Sequence, residues 1–310
     1  MSHAIGRGGH YERQQTPRPD PRSCPRGCGW GSTQLPSCAT TVCDQLQSAT
    51  DRGDVCSTPP SAMAMNGYLV DTLLCNTSRP GGGRVFLAGD RHGRFDHVIE
   101  AARMYLPAAI VFLGDMEAPV PLHEVLAPIM GSTSIWWIPG NHDTDSEASH
   151  DHVHGSALAG YNLHGRVVEI AGVRIARLGG VFREKVWAPP GAPLYQSAED
   201  FTRHCRRGNR WRSGLPLKHR STIFPDIYHQ LFKQRADVLV THEAPSYWHG
   251  DYGQAAIDGL ARGLHVSKTF HGHLHADRKY GSSLGFHGYG VGLRGIMDLD
   301  GQVVVPGGSE

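Results

Sequence analysis

The sequence has 310 residues, of which 39% are hydrophobic and 19% charged, and its formal net charge is +1 at pH 7. This length allows one large domain or two small ones, and the small net charge excludes a global field that would attract nucleic acid or a membrane. No apolar run approaches the ~18 residues that span a bilayer, and no secretory signal opens the chain, so the sequence predicts a cytoplasmic protein. Histidine is unusually frequent, with 20 residues.

Residues 1–82 are rich in Pro, Gly, Ser, Thr and Arg and have little apolar periodicity. Such a segment cannot bury enough apolar surface to offset its ordering entropy, so we expect a disordered leader. Alternatively, translation could start at Met63 or Met65, the next methionines after Met1, and the preceding residues would then be an over-extension of the sequence. Six of the seven cysteines lie here, and four of them could form a loosely spaced zinc site: Cys24, Cys28, Cys38 and Cys43. We assign residues 83–305 to a folded domain and residues 306–310 to a tail.

The first two apolar runs of the folded domain each end in Gly-Asp. Residues 84–88 lead into Gly89-Asp90, and residues 109–113 lead into Gly114-Asp115. Short apolar runs of this kind predict buried strands. The apolar residues at 95–105 recur with helical spacing, so the unit is predicted to be strand, helix, strand with a carboxylate after each strand.

Three later apolar runs end in polar residues of the same kinds. Residues 134–138 lead into GNHD, residues 236–240 into Thr241-His242, and residues 266–270 into HGHLH. A hairpin is predicted at residues 166–177. Because open α/β sheets bind ligands at the carboxyl ends of their strands, we expect a metal-type site there.

Asp90 and His92 are two residues apart on an extended segment, so both side chains point to one side and can chelate one ion. His273 and His275 repeat that spacing. Carboxylate, imidazole and amide ligands together favour Mn, Fe, Zn, Co or Ni over Ca or Mg, without choosing among them. Each motif alone is more often a turn or a core histidine, but their combination in this order is hard to obtain by accident.

The segments GDRHG, GDMEA, GNHD, THEAP and GHLH resemble the motifs of the calcineurin-like metallophosphoesterase superfamily, over about residues 84–300. The resemblance implies an α/β fold with two packed mixed β-sheets flanked by helices, in a four-layer sandwich. It also implies two divalent metal ions that share one carboxylate. The implied ligands are Asp90, His92, Asp115 and His275 for one ion, and Asp115, Asn141, His242 and His273 for the other.

By the same resemblance, the protein would hydrolyse a phosphoester by attack of a metal-activated hydroxide. His142 would be the catalytic residue that gives a proton to the leaving oxygen or stabilises charge there. The presence of this histidine argues against a non-catalytic scaffold.

Residues 114–118 depart from the phosphoprotein phosphatase pattern GD-x-x-DRG. Ala118 stands where a carboxylate would orient His142, so either another carboxylate such as Glu117 or Asp143 orients it, or its role is weaker. A usual phosphate-binding arginine is also missing. These departures favour a small phosphodiester or a nucleotide as substrate. The alternatives are a nuclease acting on nucleic acid, and a serine/threonine phosphoprotein phosphatase or a metal-bound scaffold.

A predicted insertion at about residues 182–222 contains a basic segment. Between residues 203 and 220 there are seven Lys or Arg residues and no Asp or Glu, with Trp211 among them. Arginines bind phosphate and aromatic rings stack on bases, so this segment could bind a nucleotide or nucleic acid. The candidate substrate-binding residues are Arg207, Arg210 and Arg212. A solvated basic loop is an equally weighted alternative, and no protein partner is predicted.

Overall fold

A computed structural model defines residues 83–246, 253–282 and 284–308. The predictions of a disordered leader and of a zinc site concern residues outside these ranges. Across the defined ranges, no helix is long and apolar enough to cross a membrane.

The described chain contains short strands and helices in an order typical of an α/β protein. The strands are β1 Val85–Ala88, β2 Ala109–Phe112, β3 Ser134–Trp137, β4 Arg166–Ile170, β5 Val173–Leu178, β6 Val238–Thr241, β7 Lys268–His271, β8 Arg278–Tyr280, β9 His287–Gly290, β10 Ile296–Asp298 and β11 Val303–Val305. The helices are α1 Asp96–Tyr105, α2 Leu122–Val125, α3 Ala127–Met130, α4 Glu147–His154, α5 Ala198–His204, α6 Pro225–Phe232 and α7 Ala255–Leu264. Short 3₁₀ helices lie at His142–Thr144, Ala159–Tyr161, Arg207–Asn209 and Leu217–Ser221.

The strands form two mixed sheets. The first sheet has the order β11-β10-β1-β2-β3, with β1, β2 and β3 parallel and β10 antiparallel to β1. The second has the order β4-β5-β6-β7-β9-β8, with β5, β6, β7 and β9 parallel. The predicted hairpin is β4–β5, whose strands pair antiparallel. Parallel neighbours end at the same edge, so the loops after them meet there.

The β1–α1–β2 unit follows the predicted pattern. Both strands are fully buried, because each face of the sheet is covered. Helix α1 buries Val98, Ala101 and Ala102. It is capped by Leu106, which has a left-handed backbone and whose N–H donates to the carbonyl oxygen of Ala102. The chain then returns to run parallel to β1.

Three hydrophobic clusters divide the domain into layers. One cluster lies between the sheets and joins Leu87 and Val111 of the first sheet to Val240 and Phe270 of the second. A second cluster packs the first sheet against α1, α2 and α3. A third packs the second sheet against α5, α6 and α7. The predicted α/β fold of two mixed sheets flanked by helices is confirmed.

The predicted insertion at 182–222 is packed against the second sheet along much of its length. Val186, Trp187 and Phe201 are buried in the cluster that covers that sheet. The two ends of the segment meet, because Val181 forms a bridge with Thr222. The insertion is therefore anchored to the domain, and its basic residues belong to a segment that packs on the second sheet.

Histidines held in the neutral form make the fold sensitive to acid. The ring of His154 lies 4.9 Å from that of Trp137, and burial lowers the pKa of His154 to about 3. Burial likewise lowers the pKa of His164 to about 4. The unfolded chain takes up these protons as the pH falls through about 6.5 and the folded chain does not, so each histidine removes about 1.4 kcal/mol of unfolding free energy per pH unit until its folded pKa is reached.

We therefore expect the urea midpoint of unfolding to fall between pH 6.5 and pH 5. His154→Phe keeps the ring packing and removes the proton-binding group, so the fall should be smaller in this variant. An equal fall in the variant and the wild-type protein would show that His154 is not held neutral by the fold.

Candidate active site

The polar residues that follow the parallel strands meet at one edge of the two sheets. Asp115 follows β2, His242 follows β6 and His273 follows β7, and each offers a ligand atom within 4.8 Å of the others. Asn141 joins them from the loop after β3, with its Oδ1 atom 3.0 Å from Nε2 of His242. Nε2 of His242 also lies 3.3 Å from Oδ2 of Asp115. These four residues form one compact group of nitrogen and oxygen ligands.

A second group of ligand atoms adjoins the first. Nε2 of His275 lies 3.2 Å from Nε2 of His92 and 3.3 Å from Oδ2 of Asp90. Oδ1 of Asp90 lies 3.7 Å from Nδ1 of His242, which links the two groups. The fold thus brings every predicted metal ligand into one cluster.

Glycine is required where the loops of this cluster cross. A Cβ atom on Gly114, whose φ is +105°, would lie 2.6 Å from Nδ1 of His242. A Cβ atom on Gly140 would collide with the carboxylate of Asp115. The absence of a side chain at both positions lets the strand ends approach each other closely.

Four of the predicted ligands have left-handed backbone conformations, which non-glycine residues rarely adopt. Their φ angles are 42° at His92, 48° at Asp115, 65° at His273 and 51° at His275. Such a conformation costs about 1–3 kcal/mol per residue and persists where the surrounding structure enforces it, typically at functional sites. Its repetition at four of the predicted ligands supports a functional role for the cluster.

Three polar groups contact the ring of His242. Nδ1 of His242 lies 2.8 Å from the carbonyl oxygen of Leu113 and donates its hydrogen there. Nε2 of the same ring faces the oxygens of Asn141 and Asp115, at 3.0 and 3.3 Å. The ring, the amide oxygen and the carboxylate thus converge in a buried site, where either a proton on Nε2 or a bound cation can lie between them.

The second group shows the same arrangement. Nδ1 of His92 is hydrogen-bonded to the carboxylate of Glu117, so its Nε2 lone pair faces His275. Oδ1 of Asp90 is buried and has no hydrogen-bond partner among the residues that the structure describes. Carboxylate, imidazole and amide donors in this arrangement fit divalent transition-metal ions.

The carboxylates dominate the electrostatics of the cluster. Burial lowers the pKa of His242, but the carboxylates of Asp115 and Asp90 more than offset this and raise it to about 10. Burial raises the pKa of Asp115, but His242 holds it well below its usual range. Burial and the charge of Asp115 raise the pKa of Asp143 to about 6. The site therefore attracts positive charge.

His142 lies beside the cluster at the start of a 3₁₀ helix. Its backbone N–H donates to Oδ1 of Asp115 at 2.8 Å, and its ring lies 5.5 Å from the ring of His92. Nδ1 of His142 lies 2.6 Å from Oδ2 of Asp145, which fixes the ring. Burial lowers the pKa of His142, but Asp145 and Asp115 raise it by more.

The carboxylate that contacts Nδ1 of His142 is Asp145, and not Glu117 or Asp143, the two examples that the sequence suggested. Glu117 binds His92, and Asp143 accepts backbone N–H groups of Met116 and Gly140, each at 2.8 Å. Asp145 performs this role, and sequence analysis missed it. The signal was the spacing of three residues, which places two side chains on one face of a helical turn.

Arg212 of the predicted substrate-binding set is engaged within the fold. Its guanidinium donates to both carboxylate oxygens of Asp151, at 2.8 and 2.6 Å. It also lies 4.0 Å from the centre of the Trp211 ring, and the guanidinium of Arg220 lies 4.8 Å from it. The ring of Trp211 thus packs against two arginines.

The other two predicted arginines lie elsewhere on the same segment. Arg210 donates to the carbonyl oxygen of Cys205 at 3.3 Å. Arg207 is exposed in the 3₁₀ helix Arg207–Asn209. The structure shows no contact between these arginines and the described ligand cluster.

Known proteins resemble this chain in sequence and in fold. Residues 83–277 match the family model for calcineurin-like phosphoesterases. An uncharacterized protein of Haemophilus influenzae is 36% identical over 221 residues, which cover 71% of this chain and 96% of that protein. TT1561 of Thermus thermophilus aligns with a TM-score of 0.47 at 12% identity, over 74% of this chain and 99% of that one. A 5'-nucleotidase from Candida albicans aligns with a TM-score of 0.39 at 13% identity, over 69% and 47%.

Proposed function

This chain belongs to the calcineurin-like phosphoesterase family, and we propose that it is a dinuclear metal-dependent phosphoesterase that hydrolyses a small phosphodiester or a nucleotide. The observation that carries the proposal is the convergence of Asp115, Asn141 and His242 in a buried site whose carboxylates attract positive charge. Without a metal ion that charge is a proton on His242, and a bound divalent ion can take its place.

We assign the ligands to two ions that share Asp115. The first ion would be held by Asp90, His92, Asp115 and His275, and the second by Asp115, Asn141, His242 and His273. Bound divalent ions would lower the pKa of a water molecule and offset the charge of the phosphoryl oxygens. Mn, Fe, Zn, Co and Ni all suit this donor set.

Two hydrogen bonds of His142 position side chains at that cluster. The amide of His142 fixes the Asp115 carboxylate, and Asp145 fixes Nδ1 of His142. Nε2 of His142 is then the nitrogen that can give a proton to the leaving oxygen. General acid catalysis of this kind contributes about 10²–10⁴ in rate.

The nuclease alternative receives less support than the small-substrate proposal. The basic segment was predicted to bind a nucleotide or nucleic acid, and in the structure two guanidinium groups pack on its Trp211 ring and Arg212 pairs with Asp151. A small phosphodiester does not depend on this segment. A non-catalytic metal-bound scaffold would have no use for the His142–Asp145 pair beside the ligand cluster, so this pair favours an enzyme.

Metal-stripped protein should be assayed with a phosphomonoester and a phosphodiester of p-nitrophenol, with each candidate metal added in turn. We expect hydrolysis to require metal and to depend weakly on salt, because a small substrate releases few counterions. Metal-independent hydrolysis, or no hydrolysis with any metal, would contradict the proposal. Faster turnover of single-stranded nucleic acid with a steep salt dependence would favour the nuclease.

A further inference from the structure

Arg183 lies after β5, at the sheet edge that carries the proposed metal ligands. The backbone that leads to it contacts two of the ligand loops. The N–H of Gly180 donates to the carbonyl oxygen of Pro139 at 2.6 Å, and the N–H of Phe182 donates to Oε1 of Glu243 at 3.0 Å. Pro139 precedes the GNHD loop and Glu243 follows a proposed ligand, so Arg183 is placed beside both.

The guanidinium of Arg183 is anchored on one side and has a donor to spare. Its Nη2 donates to Oγ of Ser221 at 3.2 Å, and Ser221 is hydrogen-bonded to Oγ1 of Thr144 at 2.7 Å, in the same 3₁₀ helix as His142. Its Nε is buried without a hydrogen-bond partner among the described residues. Burial lowers the pKa of Arg183, and Asp145 and Glu243 act against this.

Two lysines extend the positive charge outward from Arg183. Lys185 is exposed in a turn closed by the N–H groups of Val186 and Trp187, which both donate to the carbonyl oxygen of Arg183 at 2.8 Å. Lys218 is exposed in the 3₁₀ helix that ends at Ser221.

The charges of Arg183, Lys185 and Lys218 all act on His219. Burial and these charges lower the pKa of His219 to about 4, so this ring stays neutral at neutral pH. The nearby exposed acid of the turn, Glu184, offsets one of the three positive charges. The three positive charges therefore lie within electrostatic reach of one ring, and Arg183 among them also lies within reach of Asp145.

We propose that Arg183, Lys185 and Lys218 form a subsite for a second phosphate group, carried by the leaving group of the substrate. The inference rests on the proposed function, because His142 defines the leaving-group side and Arg183 adjoins its partner Asp145. An arginine can bind a phosphate through two parallel N–H donors, and the Nη groups of Arg183 keep N–H donors beyond the one that Ser221 accepts. The substrate class is a small phosphoester whose leaving group bears a second phosphate.

In this reaction water attacks the phosphorus atom and the bond from phosphorus to the leaving oxygen breaks. The leaving oxygen takes a proton from His142, and the attacking water gives up one proton to the solvent, from which His142 is protonated again. The products are phosphate, or a phosphomonoester where the substrate is a diester, and an alcohol that still carries the second phosphate, which the subsite holds until release.

Titration calorimetry of the metal-loaded protein with inorganic phosphate and with pyrophosphate tests the subsite without turnover. We expect pyrophosphate to bind more tightly, and the double variant Lys185→Ala/Lys218→Ala to weaken pyrophosphate about tenfold with phosphate nearly unchanged. Arg103→Ala removes an exposed arginine in α1 and is the matched control. Chelation of metal by pyrophosphate acts equally on all three proteins, so differences between them report the subsite.

Unchanged pyrophosphate affinity in the double variant would overturn the subsite, and so would an equal loss in Arg103→Ala. Arg183→Ala should weaken pyrophosphate more than phosphate, and unchanged pyrophosphate affinity in this variant would also overturn it. Hydrolysis of p-nitrophenyl phosphate and of bis(p-nitrophenyl) phosphate by the wild-type protein is measured in parallel. If either is hydrolysed and the subsite variants have no effect, only the subsite inference fails. If neither is hydrolysed with any metal, the proposed function fails.

Discussion

Asp115→Asn is expected to lose bound metal and to abolish phosphoester hydrolysis, with a loss of at least ~10³ in kcat/KM. The Asp115 side chain is buried, its Oδ2 lies 3.3 Å from Nε2 of His242, and its Oδ1 accepts the N–H of His142 at 2.8 Å. Asparagine keeps the shape but lacks the charge that both proposed ions share. Metal content by plasma mass spectrometry and kcat/KM are measured on the same preparation.

His242→Ala should give the same two losses, because it removes a buried imidazole from the same group. Asp151→Asn is the matched control for Asp115→Asn, since Asp151 pairs with Arg212 away from the ligand cluster. Circular dichroism of each variant separates loss of metal from loss of fold. Full activity with unchanged metal content in either site variant would contradict the assignment.

His142→Ala is expected to keep its metal and to lose about 10²–10⁴ in kcat, because this residue would act on the leaving oxygen. The loss should be larger for phenyl phosphate than for p-nitrophenyl phosphate, whose leaving group needs less help from an acid. Asp145→Asn keeps a hydrogen-bonding side chain at Nδ1 of His142 and should cost less than His142→Ala.

Two outcomes would contradict this role for His142. Loss of metal in His142→Ala would make His142 a ligand. An equal loss of rate with both leaving groups would show that His142 does not act on the leaving oxygen.

The sequence predicted the layout of the site because its signals are local. Short apolar runs followed by Gly-Asp placed β1 and β2, and they also placed Asp90 and Asp115 at the strand ends. Parallel strands end at one edge, so the meeting of these residues followed from the pattern of the chain.

The partners of the site residues were harder to predict, because they depend on the conformation of turns and on contacts distant in sequence. Asp145 reaches His142 only because residues 142–144 form a 3₁₀ helix. From the sequence, Arg212 was predicted to be free to bind phosphate. In the structure it pairs with Asp151, which lies 61 residues earlier in the chain. The anchor of Arg183 is similarly distant, at Ser221, 38 residues later. Composition of the basic segment could not show which charges are already paired.

The most direct test of the dinuclear site is anomalous diffraction from crystals of the metal-loaded protein, measured on both sides of the absorption edge of the bound metal. The account predicts two peaks that flank the carboxylate of Asp115. One should lie against His242 and His273, and the other against His92 and His275. A single peak, or no peak at this edge of the sheets, would contradict it.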